Sequence, residues 1–502
     1  MDESLVTEMT VNTSTVVTFI GYLLLILLIG IFSSRFSSKD ISNYFIGGRK
    51  MGRLIVAMSA VVSGRSAWLL LGFTGMAYTM GLSALWAAVG YIVVEFLLFF
   101  FYAVRLRRFT EQYDCITVPD FFTIRFPDPK GYLRLAVVLI ILIFMVSYVS
   151  AQFVAGGKAL ATSFSINYSW GLVITTSIIL VYVVLGGFLA VSLNDTIQAF
   201  IIIIALVVVP IKSILDFGGF AQFIDMLRQV DSGSFASPIA ISAGAAIGFV
   251  GIGLGSPGNP HIISRYMSIK SAKQLPSVAV IGTLANIVMA VGALFIGLVG
   301  RLYFPDVTAL PTSDTENLYP VLAYGHLSPV AFGLVIASIF AAIVSTADSQ
   351  LLVAGSSVVR DVYEKWWMRG KVVPQKRLVF LSRLVVFLVV VIALVMGFIA
   401  GELVFWLVLF AWAGLGAAFG PTSILALYWK RATTAGVISG IVVGAITVIV
   451  WNQVGFLKNL IYELIPAFSL SLITTIVVSL FTQRPSGVDQ MFEVMGKDIG
   501  EK

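Results

Sequence analysis

The sequence predicts an all-α polytopic membrane protein with about 13 transmembrane helices. Of its 502 residues, 59% are hydrophobic and only 11% are charged, too little polar surface for a soluble protein of this size. Apolar runs of about 20 residues recur from end to end, and each is long enough to cross a hydrocarbon core of about 30 Å. Because a segment in lipid must satisfy its own backbone hydrogen bonds, these runs are helices.

The apolar runs follow one another along the chain with short polar loops between them. The predicted spans are 14–34, 52–80, 83–104, 132–156, 170–190, 194–217, 239–256, 276–303, 328–360, 377–398, 402–427, 434–453 and 457–481.

Basic residues predict the orientation of these spans. Most Lys and Arg residues follow odd-numbered spans, as in "RKMGR" at 49–53 and "RLRR" at 105–108. The loops after even-numbered spans carry only Lys158, Lys212, Arg228, Arg301 and Lys458. Since basic loops stay in the cytoplasm, we expect a cell-membrane protein with its N-terminus outside and its C-terminus inside. Loop placement also explains the net charge of +7, which therefore does not indicate nucleic-acid binding.

Two spans are interrupted by residues that break helices. Span 2 contains "SGRS" at 63–66, and span 7 ends in "GLGSPGNP" at 253–260. These spans lie five apart and so enter the membrane in opposite directions. Paired broken helices in two inverted halves are typical of the binding site of a secondary transporter, although Gly and Pro also kink ordinary packed helices. The expected organisation is 1–13 outside, 14–34 an extra helix, 52–217 and 239–427 two inverted repeats, 434–481 two further helices and 482–502 a cytoplasmic tail.

Several motifs carry a family resemblance over roughly residues 15–485. They are "NYFIGGRKMG" (43–52), "SAWLLLGFTG" (66–75), "GGFLAVSLNDTIQ" (186–198), "NPHIISRYM" (259–267), "STADSQLLV" (345–353) and "AWAGLGAAFGP" (411–421). In this order they resemble the solute:sodium symporter family. The resemblance implies a LeuT-like fold, a 5+5 inverted repeat with one extra N-terminal helix, and alternating access around a site at mid-membrane.

The resemblance also implies a sodium site between span 2 and span 9. The positions that match are the carbonyls of Val62, Arg65 and Ala342 and the hydroxyls of Ser345 and Thr346. Sodium is then the coupling ion, and no cofactor is expected. Asp195 matches a family acid near the cytoplasmic ion path, but in "SLND" it also fits a helix N-cap.

The charged residues in the spans depart from this pattern. Proline symporters of the family have Asp where this chain has Gly64, and uncharged residues at Arg65 and Asp348. A charge at bilayer depth costs several kcal/mol or more. One hypothesis pairs Arg65 with Asp348, one helix turn from Ser345, as a built-in cation that makes transport sodium-independent. The alternatives are a contact with the carboxylate of a substrate, a structural bridge to Glu95, or snorkelling away from the site.

Other charged residues keep two interpretations each. Glu95, in "IVVEFLLFFF", is either a counter-charge for Arg65 or a proton carrier. His261 and Arg265 follow the second break and fit gate or loop-fixing residues better than ligands. Lys158, near the outer end of span 4, fits an anchor at the membrane interface.

A solute would bind beside the two breaks. Ser66, Trp68 and Tyr148 match family positions near the substrate, and the aromatic rings can close a wall on a small solute. The proline symporters have different residues at Gln152, Ile252 and Ser256, which changes the size and polarity of the pocket. Proline, another amino acid or another small carboxylate therefore fits.

A secondary transporter of such a solute is the leading function. A membrane sensor for the same solute is the alternative of another class, and uptake into vesicles would separate the two. An enzyme is not expected, because no nucleophile, base and orienting group are assembled. The expected partners are a small-molecule solute, with an amino acid favoured, and membrane lipid. No nucleic acid is expected, and the protein is expected to be a monomer or a weak oligomer.

Overall fold

The computed structural model of the protein describes residues 11–37, 41–185, 187–400 and 403–496. The described chain is almost entirely helical, and an isolated bridge between Met51 and Ile269 is the β-pairing found within it. Most of the predicted segment 1–13 and the end of the predicted tail 482–502 lie outside the described residues.

The helices of the first half of the chain begin and end as follows. They are α1 Thr13–Ser37, α2 Ile41–Ile46, α3 Arg53–Ala67, α4 Thr74–Met80, α5 Leu85–Leu97, α6 Ala103–Gln112, α7 Val118–Arg125, α8 Tyr132–Phe164, α9 Tyr168–Leu185, α10 Phe188–Asp216 and α11 Phe220–Gln229. A wide turn of π-helix, Trp68–Phe73, joins α3 to α4, and another, Leu98–Tyr102, joins α5 to α6.

The second half continues in the same way. Its helices are α12 Ala243–Gly251, α13 Pro260–Ser268, α14 Leu275–Tyr303, α15 Leu318–His326, α16 Pro329–Ser356, α17 Gln375–Ile399, α18 Val404–Tyr428, α19 Thr434–Gln453, α20 Gly455–Leu460, α21 Leu464–Phe481 and α22 Val488–Gly496. A 3₁₀ segment, Ile252–Gly258, separates α12 from α13, and a π-helical segment, Ser357–Trp367, extends α16.

Ten helical runs in the described residues are long and apolar enough to cross a membrane. The longest, Arg53–Gln112, is interrupted at Gly81, whose φ of 59° is favourable for glycine. Two shorter apolar helices, Tyr168–Val184 and Ala243–Gly258, accompany them. The prediction of many apolar membrane helices is confirmed, whereas the count of thirteen stays a prediction.

The first break lies where it is predicted, at the end of α3. Ser66 has φ 55° and ψ −168°, so the helix cannot continue through it. The backbone N–H of Ala67 donates to Oε1 of Gln152 at 3.1 Å, and the N–H of Trp68 donates to Oγ of Ser66 at 3.1 Å. The break is tolerated in a buried position because side chains satisfy the donors that the helix releases.

The second break also lies where it is predicted, between α12 and α13. It packs directly against α18, and Nε1 of Trp412 donates to the carbonyl of Ile252 at 2.8 Å. A Cβ added at Gly258 would lie 2.5 Å from the carbonyl oxygen of Leu415. Glycine at this position therefore permits the close approach of the two backbones.

Three helices form the buried centre on which the breaks pack. In α8, α16 and α18 most residues of the apolar stretch are buried. Helices such as α1, α17 and α21 instead expose large apolar side chains, among them Leu24, Phe380 and Ile473. An exposed apolar surface on the outer helices, with polar and charged side chains buried inside the bundle, suits a protein surrounded by lipid.

Several predicted boundaries are wrong. Span 3 continues to Gln112 rather than ending at 104, and span 4 continues to Phe164 rather than ending at 156. Span 6 begins at Phe188 rather than 194, because Gly187 is the N-cap. The last span begins at Leu464 rather than 457, because Gly455–Leu460 forms a separate short helix.

Candidate functional site between the two helix breaks

The first break faces the middle of α16 through direct hydrogen bonds. Oγ1 of Thr346 donates to the carbonyl of Ser63 at 3.1 Å. Oγ of Ser63 donates to the carbonyl of Ser345 at 3.1 Å, and Oγ of Ser345 donates to the carbonyl of Ala342 at 3.1 Å. The unwound end of α3 and the hydroxyl-bearing face of α16 are therefore in contact.

The predicted sodium positions all belong to these two facing segments. Every one of them is buried, and they are Val62, Arg65, Ala342, Ser345 and Thr346. Carbonyl and hydroxyl oxygens are hard ligands of the kind that a small monovalent cation prefers. The donor set fits sodium, because it offers neutral oxygen atoms from two elements at a buried helix break.

The pairing of Arg65 with Asp348 is wrong. The guanidinium of Arg65 forms a buried ion pair with the carboxylate of Glu95 on α5 instead. It also stacks on the ring of Tyr91, with Cζ 3.7 Å from the ring centroid. Snorkelling is wrong too, because only 3% of Arg65 is exposed. A buried charge with a hydrogen-bonded partner and an aromatic face is stabilised in place.

Glu95 collects further donors from two other elements. Oγ of Ser256, in the second break, lies 3.2 Å from Oε1 of Glu95. Nδ2 of Asn286 on α14 donates to Oε2 at 2.8 Å. The Arg65 cluster, which we define as Arg65, Glu95, Ser256 and Asn286, thus joins both breaks to α5 and α14.

Asp195 belongs to a second buried network. Its Oδ2 accepts from Oγ of Ser59 at 2.5 Å and from Nη2 of Arg265 at 3.2 Å. Arg265 also donates to Oγ of Ser63 at 3.1 Å, beside the first break. The N-cap interpretation of Asp195 is wrong, since Asp195 is the eighth residue of α10 and lies two turns inside the helix. Arg265 is buried and fixes α13 against α3 and α10.

Asp348 lies next to this network rather than beside Arg65. Oγ of Ser349 donates to Oδ1 of Asp348 at 3.1 Å, and the guanidinium of Arg265 also bonds Ser349. Oδ2 of Asp348 is buried without a hydrogen-bond partner among the described residues. A cation or a proton would satisfy this oxygen.

Three predicted substrate residues come together at the first break. Gln152 bonds the Ala67 amide, and the Tyr148 side chain lies beside Ser66. The ring of Tyr148 meets the ring of His261 edge-on, at 5.9 Å between centroids. Side chains of α3, α8 and α13 therefore meet at the first break.

The other three predicted substrate residues are arranged differently. Trp68 stacks on Phe405 at 5.7 Å between centroids and meets the edge of Tyr91. The carbonyl of Ile252 is bonded by Trp412, and Ser256 turns to Glu95. All six predicted residues are buried, so the candidate site is closed: Ser66, Trp68, Tyr148, Gln152, Ile252 and Ser256.

Lys158 forms ion pairs with two carboxylates of the loop between α14 and α15, and its role as an interface anchor stays a prediction. Its Nζ lies 2.8 Å from Asp314 and 2.7 Å from Glu316. The carboxylate of Glu316 also accepts the backbone N–H of Val404 at 3.0 Å and of Phe405 at 2.8 Å. This loop carboxylate therefore caps α18 and holds Phe405 over Trp68.

Sequence reasoning missed several residues of this region. Asn286 gave a signal, since it is a lone amide in the apolar stretch "GTLANIVMAVG", and Ser63 lies in the break itself. Phe405, Tyr91 and Trp412 gave none, because aromatic residues in apolar helices usually serve packing alone.

Two broken helices that meet at a buried polar centre, inside a bundle of apolar helices, are typical of a secondary transporter. The comparisons with known proteins give the family. A model of the sodium:solute symporter family matches residues 44–444. The osmoregulated proline transporter OpuE of Bacillus subtilis (strain 168) is 37% identical over 484 residues, with 96% of this chain and 98% of the relative covered. The sodium/proline symporter of Staphylococcus aureus (strain JH9) is 37% identical over 503 residues, with 97% and 96% covered.

Solved structures agree on the fold. A Na⁺-coupled sialic acid symporter in a substrate-bound outward-open state matches with a TM-score of 0.79 at 20% identity, over 95% of this chain and 99% of that one. MhsT in complex with L-phenylalanine matches with a TM-score of 0.52 at 16% identity, over 86% and 98%. The chain belongs to the sodium:solute symporter family and has the predicted LeuT-like fold. It is a multi-pass membrane transporter and not an enzyme.

Proposed function

We propose that the protein is a sodium-coupled symporter of proline or a closely similar amino acid. The observation that carries this proposal is the contact between the first break and α16, where Thr346 bonds the carbonyl of Ser63. It brings the proposed sodium ligands onto facing segments. The identity of 37% to proline transporters over nearly the whole chain supports proline as the solute.

The proposed sodium ion binds between the carbonyls of Val62, Arg65 and Ala342 and the hydroxyls of Ser345 and Thr346. These hydroxyls now bond protein carbonyls, and they would turn their oxygen atoms to the ion. Sodium independence is not part of the proposal. Sodium independence depends on an ion pair between Arg65 and Asp348, but Arg65 pairs with Glu95.

The proposed solute site lies on the other side of the break, beside Ser66, Tyr148 and Gln152. Nε2 of Gln152 and Nε1 of Trp68 are buried without hydrogen-bond acceptors among the described residues. A carboxylate is rich in acceptors and would satisfy such donors. Trp68 and Phe405 together form an aromatic lid over this position. Apolar rings on one side and amide donors on the other suit a small amino acid.

The proposed cycle moves this closed site between two openings. With the N-terminus outside, as the basic loops predict, Glu316 and Phe405 lie at the extracellular entrance. The Asp195–Arg265 network then lies on the cytoplasmic side of the first break. Release of sodium inward would pass this network, where Asp195 and Asp348 offer carboxylate oxygens that lack partners among the described residues.

Thermal unfolding of the purified protein tests the proposal. The ligands are proline, other amino acids and small carboxylates, each in sodium chloride and in choline chloride at equal ionic strength. A ligand that binds the folded state raises the unfolding temperature by mass action. We expect proline to stabilise the protein in sodium and much less in choline. Equal stabilisation in both salts would overturn sodium coupling, and stabilisation by another solute alone would overturn proline.

A further inference from the structure

We propose that the Arg65 cluster is a coupling element that ties the sodium-binding break of α3 to the second break. Glu95 and Arg65 are positioning residues in it, since they act on the sodium and solute sites through the backbone. This inference rests on the proposed function, and it adds the part of the chain through which sodium binding at one break organises the other.

The cluster joins four separate elements through one carboxylate. Oε1 of Glu95 accepts from Arg65 at the end of α3 and from Ser256 in the second break at 3.2 Å. Oε2 accepts from Asn286 on α14 at 2.8 Å. Because Glu95 itself lies on α5, its side chain is the point where α3, α5, the second break and α14 meet.

The guanidinium of Arg65 is buried and fixed in position by Glu95 and Tyr91. The side chains of Arg65 and Glu95 are 3% and 6% exposed. The face of Tyr91 covers the guanidinium at 3.7 Å from its ring centroid. Separating such a pair leaves an uncompensated buried charge, so the elements that carry it move together.

The pair also lies next to the atoms that bind the ion. The carbonyl of Arg65 is a proposed sodium ligand, and Ser66, the residue after it, makes the break. A Cβ added at Gly64 would lie 3.7 Å from Oε1 of Glu95. The carboxylate therefore lies close to the first break on one side, while α16 bonds the backbone of the break from the other.

The second break is fixed by the same carboxylate. Ser256 stands between Gly255, which packs against Trp412, and Pro257. When sodium binding fixes the carbonyls at the first break, it also fixes Glu95. The hydrogen bond from Ser256 to Glu95 then fixes the second break, which lies beside the solute. By reciprocity of binding free energies, the solute strengthens sodium binding by the same factor.

Binding measurements on variants test this inference. The readout is the ratio of the dissociation constants for proline in choline and in saturating sodium, measured on the purified protein. For the wild type we expect a ratio of about tenfold or more. In Glu95→Gln we expect it to fall below about threefold, while the dissociation constant in choline changes less. A merely structural role would lower the unfolding temperature and leave the ratio unchanged.

Two further variants complete the experiment. Asp361→Asn is the matched control, because it removes a buried carboxylate that pairs with Arg134 and Thr117 away from both breaks. Its ratio should equal that of the wild type. The double variant Arg65→Met/Glu95→Met replaces the pair by apolar side chains and leaves no unpaired buried charge. Its ratio should fall as in Glu95→Gln, and this variant decides the matter if the single variant does not fold.

The possible results distinguish a failure of the proposed coupling element from a failure of the proposed sodium symport. A wild-type ratio retained in Glu95→Gln or in the double variant overturns the coupling element and leaves sodium symport standing. An equal fall in Asp361→Asn overturns it as well, since loss of any buried carboxylate would then suffice. A wild type without any sodium effect overturns the proposed function itself.

Discussion

Arg65 and Arg265 share a property that decides their roles. Each guanidinium is buried, and each pairs with a carboxylate from a different helix, Glu95 on α5 and Asp195 on α10. Arg65 belongs to the stretch of α3 that leads into the first break, and Arg265 contacts the same stretch. Arg65 is the residue before Ser66, and Arg265 bonds the side chains of Ser59 and Ser63. The two pairs therefore hold this stretch from two directions.

Ser345→Ala should weaken sodium binding without harming the fold. The hydroxyl bonds a carbonyl of its own helix, so its loss leaves no orphaned donor elsewhere. Removing one oxygen ligand of a cation, at about 1.5 kcal/mol, corresponds to roughly tenfold in affinity. The measurement is the sodium concentration that gives half-maximal proline binding. Ser338→Ala is the control, because Ser338 makes the equivalent bond to Val335 two turns away. An equal effect of both variants would contradict the assignment.

Glu316 should give the protein a recognisable pH dependence. Burial raises the pKa of this loop carboxyl above its ordinary value, although the charge of Lys158 opposes the rise. The folded protein then takes up a proton that the unfolded chain releases, so the contribution of Glu316 to stability increases as the pH falls through the interval between the two pKa values.

The measurement compares unfolding temperatures of the wild type and Glu316→Gln from neutral pH to about pH 5. Relative to the variant, the wild type should gain stability on acidification. A relative loss would mean that the pKa of Glu316 is lowered in the folded state.

Sequence reasoning named Asp348 and Glu95 as possible partners of Arg65 but could not choose between them. The spacing of Ser345 and Asp348 places them on one helix face, but it says nothing about which other helix lies closer to Arg65. Glu95 and Asn286 are separated from it by 30 residues or more. A contact of that kind follows from packing, and an isolated sequence does not contain it.

At the scale of elements, the two breaks are the features that the sequence predicts best. "SGRS" and "GLGSPGNP" place glycine, serine and proline in otherwise apolar stretches, and helices end there for local reasons. The presence of many membrane-spanning helices is also predicted from local pattern, since about 20 apolar residues match the bilayer. The start of α10 was predicted too late, because the glycine before Phe188, not Asp195, begins the helix.

Gly258→Ala should disturb the second break. Its added Cβ would lie 2.5 Å from the carbonyl oxygen of Leu415 and 2.6 Å from Cα of Gly416, and backbone atoms cannot yield as a side chain can. Overpacking of this kind costs about 1–3 kcal/mol, so the unfolding temperature should drop and proline binding should weaken. Gly21→Ala is the control, since a Cβ there meets nothing within 4 Å. A Gly258→Ala protein as stable as the control would contradict the close packing of this break on α18.

At the scale of the whole molecule, the structure shows a closed candidate site. The predicted solute residues are buried, Phe405 covers Trp68, and Glu316 holds the start of α18 in that position. On the opposite side, Arg265 ties α13 to α3 and α10. Alternating access requires each of these closures to open in turn. The sequence predicted the fold, whereas the closures depend on contacts between distant segments.

Uphill uptake into liposomes tests the central claim most directly. The purified protein is reconstituted, and an inward sodium gradient is imposed with equal proline on both sides. The account predicts that proline accumulates inside above its external concentration, and that it does not when choline replaces sodium. Proline that merely equilibrates, or that accumulates equally without a sodium gradient, would contradict sodium/proline symport.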